Sequence, residues 1–214
     1  MGPIGWDYVE LLGEHVVDGV PTLDIGTGGG EVFSAVARPD DIALDVSLEM
    51  LAAARERLPC PLVAGDSCAL PFRESRFGLV ASRHVGADPL EVIRVLRPGG
   101  VYVTQHPGAH ICQSIFDAFG WGSNGEFWQR WFAEADEPFW NADTMASAFA
   151  AAGCQIVRRE SADVDYEFLD EESLAFWLNS APLPEKVDPD EHAEILETLE
   201  LKTNWHAELL VVRC

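Results

Sequence analysis

The 214-residue sequence predicts an α/β protein with a mostly parallel, doubly wound sheet, and three observations carry that prediction. Short apolar runs alternate with stretches of helical spacing along most of the chain. The runs are continuously apolar rather than alternating, as in TLDI, IALDV and FGLVAS, which suits strands covered on both faces. Finally, LDIGTGGGE places a glycine loop directly after the first run, where a strand of such a sheet turns toward a helix.

Each element follows from local chemistry. Trp6, Val9, Leu12 and Val16 recur at helical spacing, and Gly19 and Pro21 end that segment, so a lead-in helix is expected within residues 5–18. TLDI is strand one, EVFSAVA a helix closed by Pro39, and IALDV strand two. Ser47 caps SLEMLAAARERL, an Ala- and Leu-rich helix that Pro59 stops, before strand three in PLVAGD. FGLVAS is strand four, DPLEVIRVL a helix, RPGG a turn and VYVTQ strand five. Residues 106–140 then break the pattern with an aromatic-rich insertion that holds four of the seven tryptophans. ADTMASAFAAAG resumes as a helix ending at Gly153, followed by the strand CQIVRRES, the helix EESLAFWLNSA, an acidic helix over 189–200 and the strand HAELLVVR.

Bulk properties narrow the function. Hydrophobic residues at 48% and charged residues at 23% match ordinary globular usage, and the length suits one domain over 1–214. No apolar run reaches the roughly 18 residues of a membrane span, and MGPIGWDYVELLGEHVV lacks the pattern of a signal peptide, so a cytoplasmic protein without membrane contact is expected. A net charge of -22 repels a phosphate backbone, and with no basic patch to overcome it no nucleic-acid partner is expected. Cys60, Cys68, Cys112, Cys154 and Cys214 are odd in number and widely spread, which predicts reduced thiols and no zinc or other metal site. A monomer or homodimer is expected.

The glycine loop discriminates between ligands. Gly26, Gly28 and Gly30 after Asp24 let a backbone rich in free N–H groups approach a ligand closely. A dinucleotide fingerprint requires its third glycine at position 31, where this chain has Glu31, and a carboxylate there repels a pyrophosphate. A phosphate-free ligand with a cationic amine suits Asp24 and Glu31 instead. Asp45, ending strand two, is placed to accept from both hydroxyls of a ribose, each charge-assisted bond contributing about 1.5–3 kcal/mol. Asp66, ending strand three, can accept from an exocyclic amine while Ser67 offers a backbone N–H. Their structural alternatives are a tight turn with incidental acids and, for Leu70, plain core packing.

With these residues in order, the sequence resembles class I S-adenosylmethionine-dependent methyltransferases, close to the type 11 group and to a bacterial small-molecule subgroup. The resemblance rests on LDIGTGGGE, ALDVS, AGDSCALPF, FGLVASRHV and EVIRVLRPGGVYVTQ, which run from about residue 22 to 105, and on SLAFWLNSAPLP and NWHAELLVVR in the tail. It implies a Rossmann-like sheet of seven strands, the last antiparallel and inserted between the fifth and sixth. It also implies S-adenosylmethionine as cofactor, S-adenosylhomocysteine as product and a small-molecule methyl acceptor. Carried onto this chain, Asp24, Gly26, Thr27, Gly28 and Gly30 meet the methionine end, Asp45 and Val46 the ribose, and Gly65, Asp66 and Ser67 the adenine. Ser82 and Arg83 complete the cofactor set. Only about twenty residues precede the glycine loop, which predicts an abbreviated lid.

Methyl transfer requires chiefly alignment, so candidate bases are the histidines at strand ends: His84 in SRHV and His106 in TQHPG. Arg83, His106, Trp121 and Trp128 are candidate substrate contacts, the last with Phe127, Trp131 and Phe132 in a stripe that is either core or an aromatic acceptor pocket. His110 and His206 rank lower. Two further classes compete: a module that binds S-adenosylmethionine without effective catalysis, and an NAD-dependent oxidoreductase, which Glu31 opposes.

Overall fold

The computed structural model describes residues 4–108, 111–123, 126, 127, 141–180 and 183–214. Two compact groups divide the chain, one formed by Trp6–His106, Trp140–Glu160 and Glu208–Cys214, the other by Met1–Gly5, Pro107–Phe139 and Ser161–Ala207. The strands are β1 (Thr22–Ile25), β2 (Ile42–Asp45), β3 (Leu62–Ala64), β4 (Phe77–Arg83), β5 (Leu96–Pro107), β6 (Gln155–Glu167) and β7 (Lys202–Arg213). The α-helices are α1 (Tyr8–His15), α2 (Leu48–Ala54), α3 (Pro89–Val95), α4 (Gln113–Ala118), α5 (Ala142–Ala151), α6 (Glu171–Ser180) and α7 (Ala193–Thr198).

The seven strands form one sheet in the order β3-β2-β1-β4-β5-β7-β6. β1 pairs in parallel with β2 on one side and β4 on the other, and β4 pairs in parallel with β5. The winding therefore reverses between β1 and β4, the switch point where open α/β sheets collect ligands beyond their carboxyl ends. Hydrogen bonds join Cys214, after the end of β7, to Gly99 and Gly100 near the start of β5, and Gly108, beyond its end, to His206. β7 is thus antiparallel to β5, the expected inversion of the last strand.

Burial on both faces explains the apolar runs. On β2, Ile42 and Leu44 pack into the core built with Val92, Val95, Met145 and Phe149, while Ala43 between them joins Phe33, Ala54 and Leu58. Several helix starts carry side-chain caps, Ser47 as expected. Asp7 accepts from the Val9 and Glu10 amides, Ser47 from Met50 and Asp88 from Leu90 ahead of Pro89, and Asn141 forms a capping box with Thr144. At the opposite end of β1, Asp41 is fully buried and accepts from the Thr22 amide at 2.7 Å, the Arg38 amide at 2.7 Å and the Arg38 guanidinium at 2.8 Å.

Four expectations need correction. EVFSAVA forms only a 3-10 turn, Phe33–Ala35, because glycines precede it, Pro39 follows it and β-branched Val32 and Val36 disfavour extension. RPGG is drawn into β5, with a register irregularity between Phe77 and Leu79 that absorbs Gly99 at φ +78°. The acidic helix shortens to α7, which has no side-chain cap at its start and buries no residue. Most consequentially, Cys154 and Cys214 are joined as a disulfide, leaving Cys60, Cys68 and Cys112 as free thiols. The antiparallel return of β7 brings its end to the start of β6, a proximity that sequence spacing does not reveal. Among the described residues no helix is long and apolar enough to cross a membrane, and no group of His, Cys, Asp or Glu could hold a metal.

Candidate functional site

The first group places a cluster of predicted residues at the switch point. After β1 the backbone bends back toward β2, with the Gly26 and Thr27 amides donating to the Leu44 carbonyl. Gly26, Gly28 and Gly30 all adopt positive φ, at +68°, +56° and +80°, which is the conformation that requires glycine. A Cβ on Gly26 would lie 2.5 Å from Val85 and one on Gly30 would lie 2.9 Å from Leu58, whereas one on Gly28 would meet nothing. The first and third glycines therefore also serve packing, and the middle one faces open space.

Asp45 organises this loop. One of its carboxylate oxygens accepts from the Gly28 amide and the other from the Ser47 amide, each at 2.8 Å. Asp45 also lines a cavity of about 360 Å³ together with Val46, Gly65, Asp66, Ser67 and Gly26, closed on the β4 side by Arg83, His84 and Val85. That volume falls within the range of small-molecule sites. Val46 is 79% exposed, so an apolar side chain stands uncovered beside the acid. Asp66 folds its carboxylate onto the Cys68 amide at 2.8 Å, a local turn that leaves lone pairs for a ligand. Leu70 is core.

A recess of about 110 Å³ shares Gly26 and Arg83 with that cavity and adds Asp24, Thr27, Glu31 and Tyr8. Asp24 is 7% exposed, and burial pushes its carboxyl up to about 7, opposed by the Thr27 hydroxyl and reinforced by the Asp45 charge. A buried carboxyl facing a recess suits a cationic group. Glu31 points past Gly29 toward Arg57, whose guanidinium approaches it at 3.7 Å and donates to the Gly29 carbonyl at 3.2 Å. Because a 3-10 turn replaces the expected helix, the loop has no long helix N-terminus to attract a pyrophosphate, which strengthens the reading based on Glu31.

The two histidines occupy different environments. His84 follows β4 at φ +61°, lines the larger cavity while remaining exposed to solvent, and has its imidazole lowered from its ordinary value by desolvation against the cavity wall, then by the Arg83 charge and His106. His106 is 4% exposed, and burial lowers it to about 4. Its Nε2 lies 2.8 Å from the Thr104 hydroxyl and 3.1 Å from the Met145 sulfur. Thr104 continues at 2.8 Å to Ser82, and Ser82 at 2.7 Å to Tyr102, so Ser82 is a buried link in a hydroxyl chain rather than a cavity wall.

Two residues that sequence reading passed over belong to this group: Tyr8, which lines the recess, and Trp6, whose indole donates to Gln105 Oε1 at 2.9 Å. Their only signal was their aromatic character in the lead-in. Trp121 belongs to the second group, where it stacks on Phe119 and donates to Glu185 at 2.8 Å. Phe127 is buried against Phe116. His206 is buried in β7 with Gly108 packed on its ring. Trp128, Trp131, Phe132 and His110 lie outside the described residues.

Residues 23–104 match a family model described as a methyltransferase domain. Over that stretch the chain is similar to methyltransferase domains. The chain is 38% identical over 115 residues to demethylmenaquinone methyltransferase of Renibacterium salmoninarum, a stretch covering 48% of each chain. The alignment thus spans about half the length of that relative. Malonyl-[acyl-carrier protein] O-methyltransferase of Marinomonas sp. is 29% identical over 197 residues, covering 80% of this chain and 68% of the relative. A Bacillus halodurans crystal structure shares the fold with a TM-score of 0.63 at 19% identity, covering 97% of this chain and 98% of that one. The stretch that matches the family model contains the glycine loop, Asp45, Asp66 and His84, and it stops before His106 and the aromatic segment.

Proposed function

We propose that the chain transfers a methyl group from S-adenosylmethionine to a small-molecule acceptor. The supporting observation is the cavity and the neighbouring recess at the switch point, which share Gly26 and Arg83, where Asp45, Val46, Gly65 and Asp66 suit a nucleoside and buried Asp24 suits a cationic tail. The residues fit the cofactor chemically: positive-φ glycines admit a close ligand, and three aspartates favour a positively charged one. When bound, S-adenosylmethionine supplies an electrophilic methyl group.

The chain's own residues bind and orient. Asp45 holds the loop through Gly28 and Ser47 and keeps lone pairs for two ribose hydroxyls. Gly65, Asp66 and Ser67 present the adenine edge, with Val46 as the apolar face. Gly26, Thr27, Gly28 and Gly30 shape the passage to Asp24, and Arg83 borders both spaces. His84 is uncharged near neutrality, so it accepts a hydrogen bond from an acceptor's hydroxyl or amine and orients its lone pair. His106, held between Thr104 and Met145, supports the edge from within the core, and Ser82 does the same. The relatives' names point to demethylmenaquinone and to malonyl-[acyl-carrier protein], so the acceptor of this chain is a question for experiment.

The test is transfer of isotopically labelled methyl from S-adenosylmethionine across a library of phenols, quinols, amines and carboxylic acids. Turnover that His84→Ala reduces while leaving cofactor affinity intact supports the assignment. Tight cofactor binding with no labelled product from any acceptor supports a binding module in its place.

A further inference from the structure

The lead-in segment is tied to the strand ends that carry His84. Trp6 is 7% exposed, and its indole N–H donates at 2.9 Å to the side-chain carbonyl of Gln105, itself 3% exposed and 99 residues away in sequence. The backbone carbonyl of the same Gln105 accepts from the His84 amide at 2.8 Å. Two residues further on, the Tyr8 hydroxyl donates at 2.9 Å to the Ser82 carbonyl, two residues before His84. Burial raises the Tyr8 phenol well above its ordinary value, so it remains a donor. His84 itself is held at φ +61°, a left-handed conformation that is unfavourable for a non-glycine residue and persists where its surroundings impose it.

We propose that Trp6, Tyr8 and Gln105 are positioning residues that brace the ends of β4 and β5 and thereby fix the His84 ring at the cavity wall. Two buried hydrogen bonds from aromatic side chains are a large commitment for a lead-in segment. An apolar pair would cover much of the same surface, since Phe in place of Tyr8 loses only the hydroxyl and an apolar side chain of indole size needs no partner for its edge. The polar atoms instead reach the backbone segment that holds His84, one through Ser82 and one through Gln105. His84 faces Arg83 and His106 as charged or titratable neighbours, and Tyr8 lies near Asp24, Tyr102 and Arg83. The role of His84 in orienting an acceptor rests on the proposed function; the bracing does not.

The experiment reads the His84 ring directly, without turnover. Ring Cε1–H resonances of all six histidines are assigned by single His→Gln variants and titrated by NMR in the parent, Trp6→Phe, Gln105→Leu and the double variant, with amide spectra confirming the fold. The expected result is that His84 alone moves, its apparent pKa rising by about one half or more as the ring leaves its place beside the Arg83 charge, in both single variants. The double variant moves it no further than either one. His84 curves that superimpose on the parent in Trp6→Phe and Gln105→Leu overturn the proposal. So do equal movements of all the histidines, which mark general loosening, or additive effects in the double variant. A correct bracing result with no methyl transfer from any acceptor leaves the inference standing while removing the proposed function.

Discussion

Replacing Asp24 with Asn should stabilise the ligand-free protein at alkaline pH and weaken its hold on a cationic ligand. The carboxyl is 7% exposed, and burial, aided by Asp45, raises it from 3.8 to about 7. In the unfolded chain the group ionises near its ordinary value. Between about pH 4 and pH 7 the native state therefore holds a proton that the unfolded state has released, and stability falls as pH rises through that window. At about 1.4 kcal/mol for each tenfold change in proton affinity, the loss at Asp24 reaches at most about 4 kcal/mol above pH 7. Asn has nearly the same shape and no charge, so Asp24→Asn should unfold at higher urea than the parent at pH 8.5, with the advantage shrinking toward pH 4.5. Urea titrations at four pH values measure the difference, which isolates Asp24 from the other carboxylates. Parallel stability curves for the two proteins would refute the reasoning. A buried acid that the fold tolerates at such expense is best explained by a ligand that neutralises it.

Three further perturbations follow from the geometry. Cys214→Ser opens a 60-residue loop, which in the chain-entropy model is worth about 4 kcal/mol; the urea midpoint should drop, and dithiothreitol should lower the parent toward the variant. No change with either treatment would show that the bond contributes nothing. Gly30→Ala, at φ +80° with its new methyl 2.9 Å from Leu58, should destabilise by about 1–3 kcal/mol, whereas Gly28→Ala, at φ +56° but facing open space, should carry only the backbone strain of about 1–2 kcal/mol and also weaken cofactor binding; calorimetric binding beside thermal melts separates the two. Asp41→Ala strips a fully buried carboxylate from the Thr22 amide and Arg38, and a loss of about 3–5 kcal/mol in urea unfolding is expected.

Strand runs were legible because they depend on neighbours in sequence: TLDI and IALD are buried throughout, although Val46 beyond them is exposed, and Ser47 caps the helix it precedes. The cavity was legible for the same reason, since Asp45 and Asp66 end consecutive strands and the sheet order brings those ends together. Non-local partners were hidden. Nothing near Cys154 in sequence announces Cys214, and nothing near Trp6 announces Gln105. The helix expected after the glycine loop failed because apolar spacing over seven residues cannot offset glycines on one side and a proline on the other. His84 and His106 looked equivalent as strand-end histidines, yet one lines the cavity and the other is sealed between Thr104 and Met145. Side-chain direction at a strand end depends on where the strand stops, and sequence fixes that only to within a residue or two.

The central claim is that the cavity beside Asp45 holds the nucleoside of S-adenosylmethionine. Isothermal titration of the folded protein with S-adenosylhomocysteine tests it most directly, in the parent and in Asp45→Asn, where the charge is removed and the shape kept. The account predicts one site with an affinity on the order of micromolar, weakened by about tenfold or more in the variant as charge-assisted ribose bonds are lost. No heat of binding in the parent, or equal affinity in the two proteins, would contradict it.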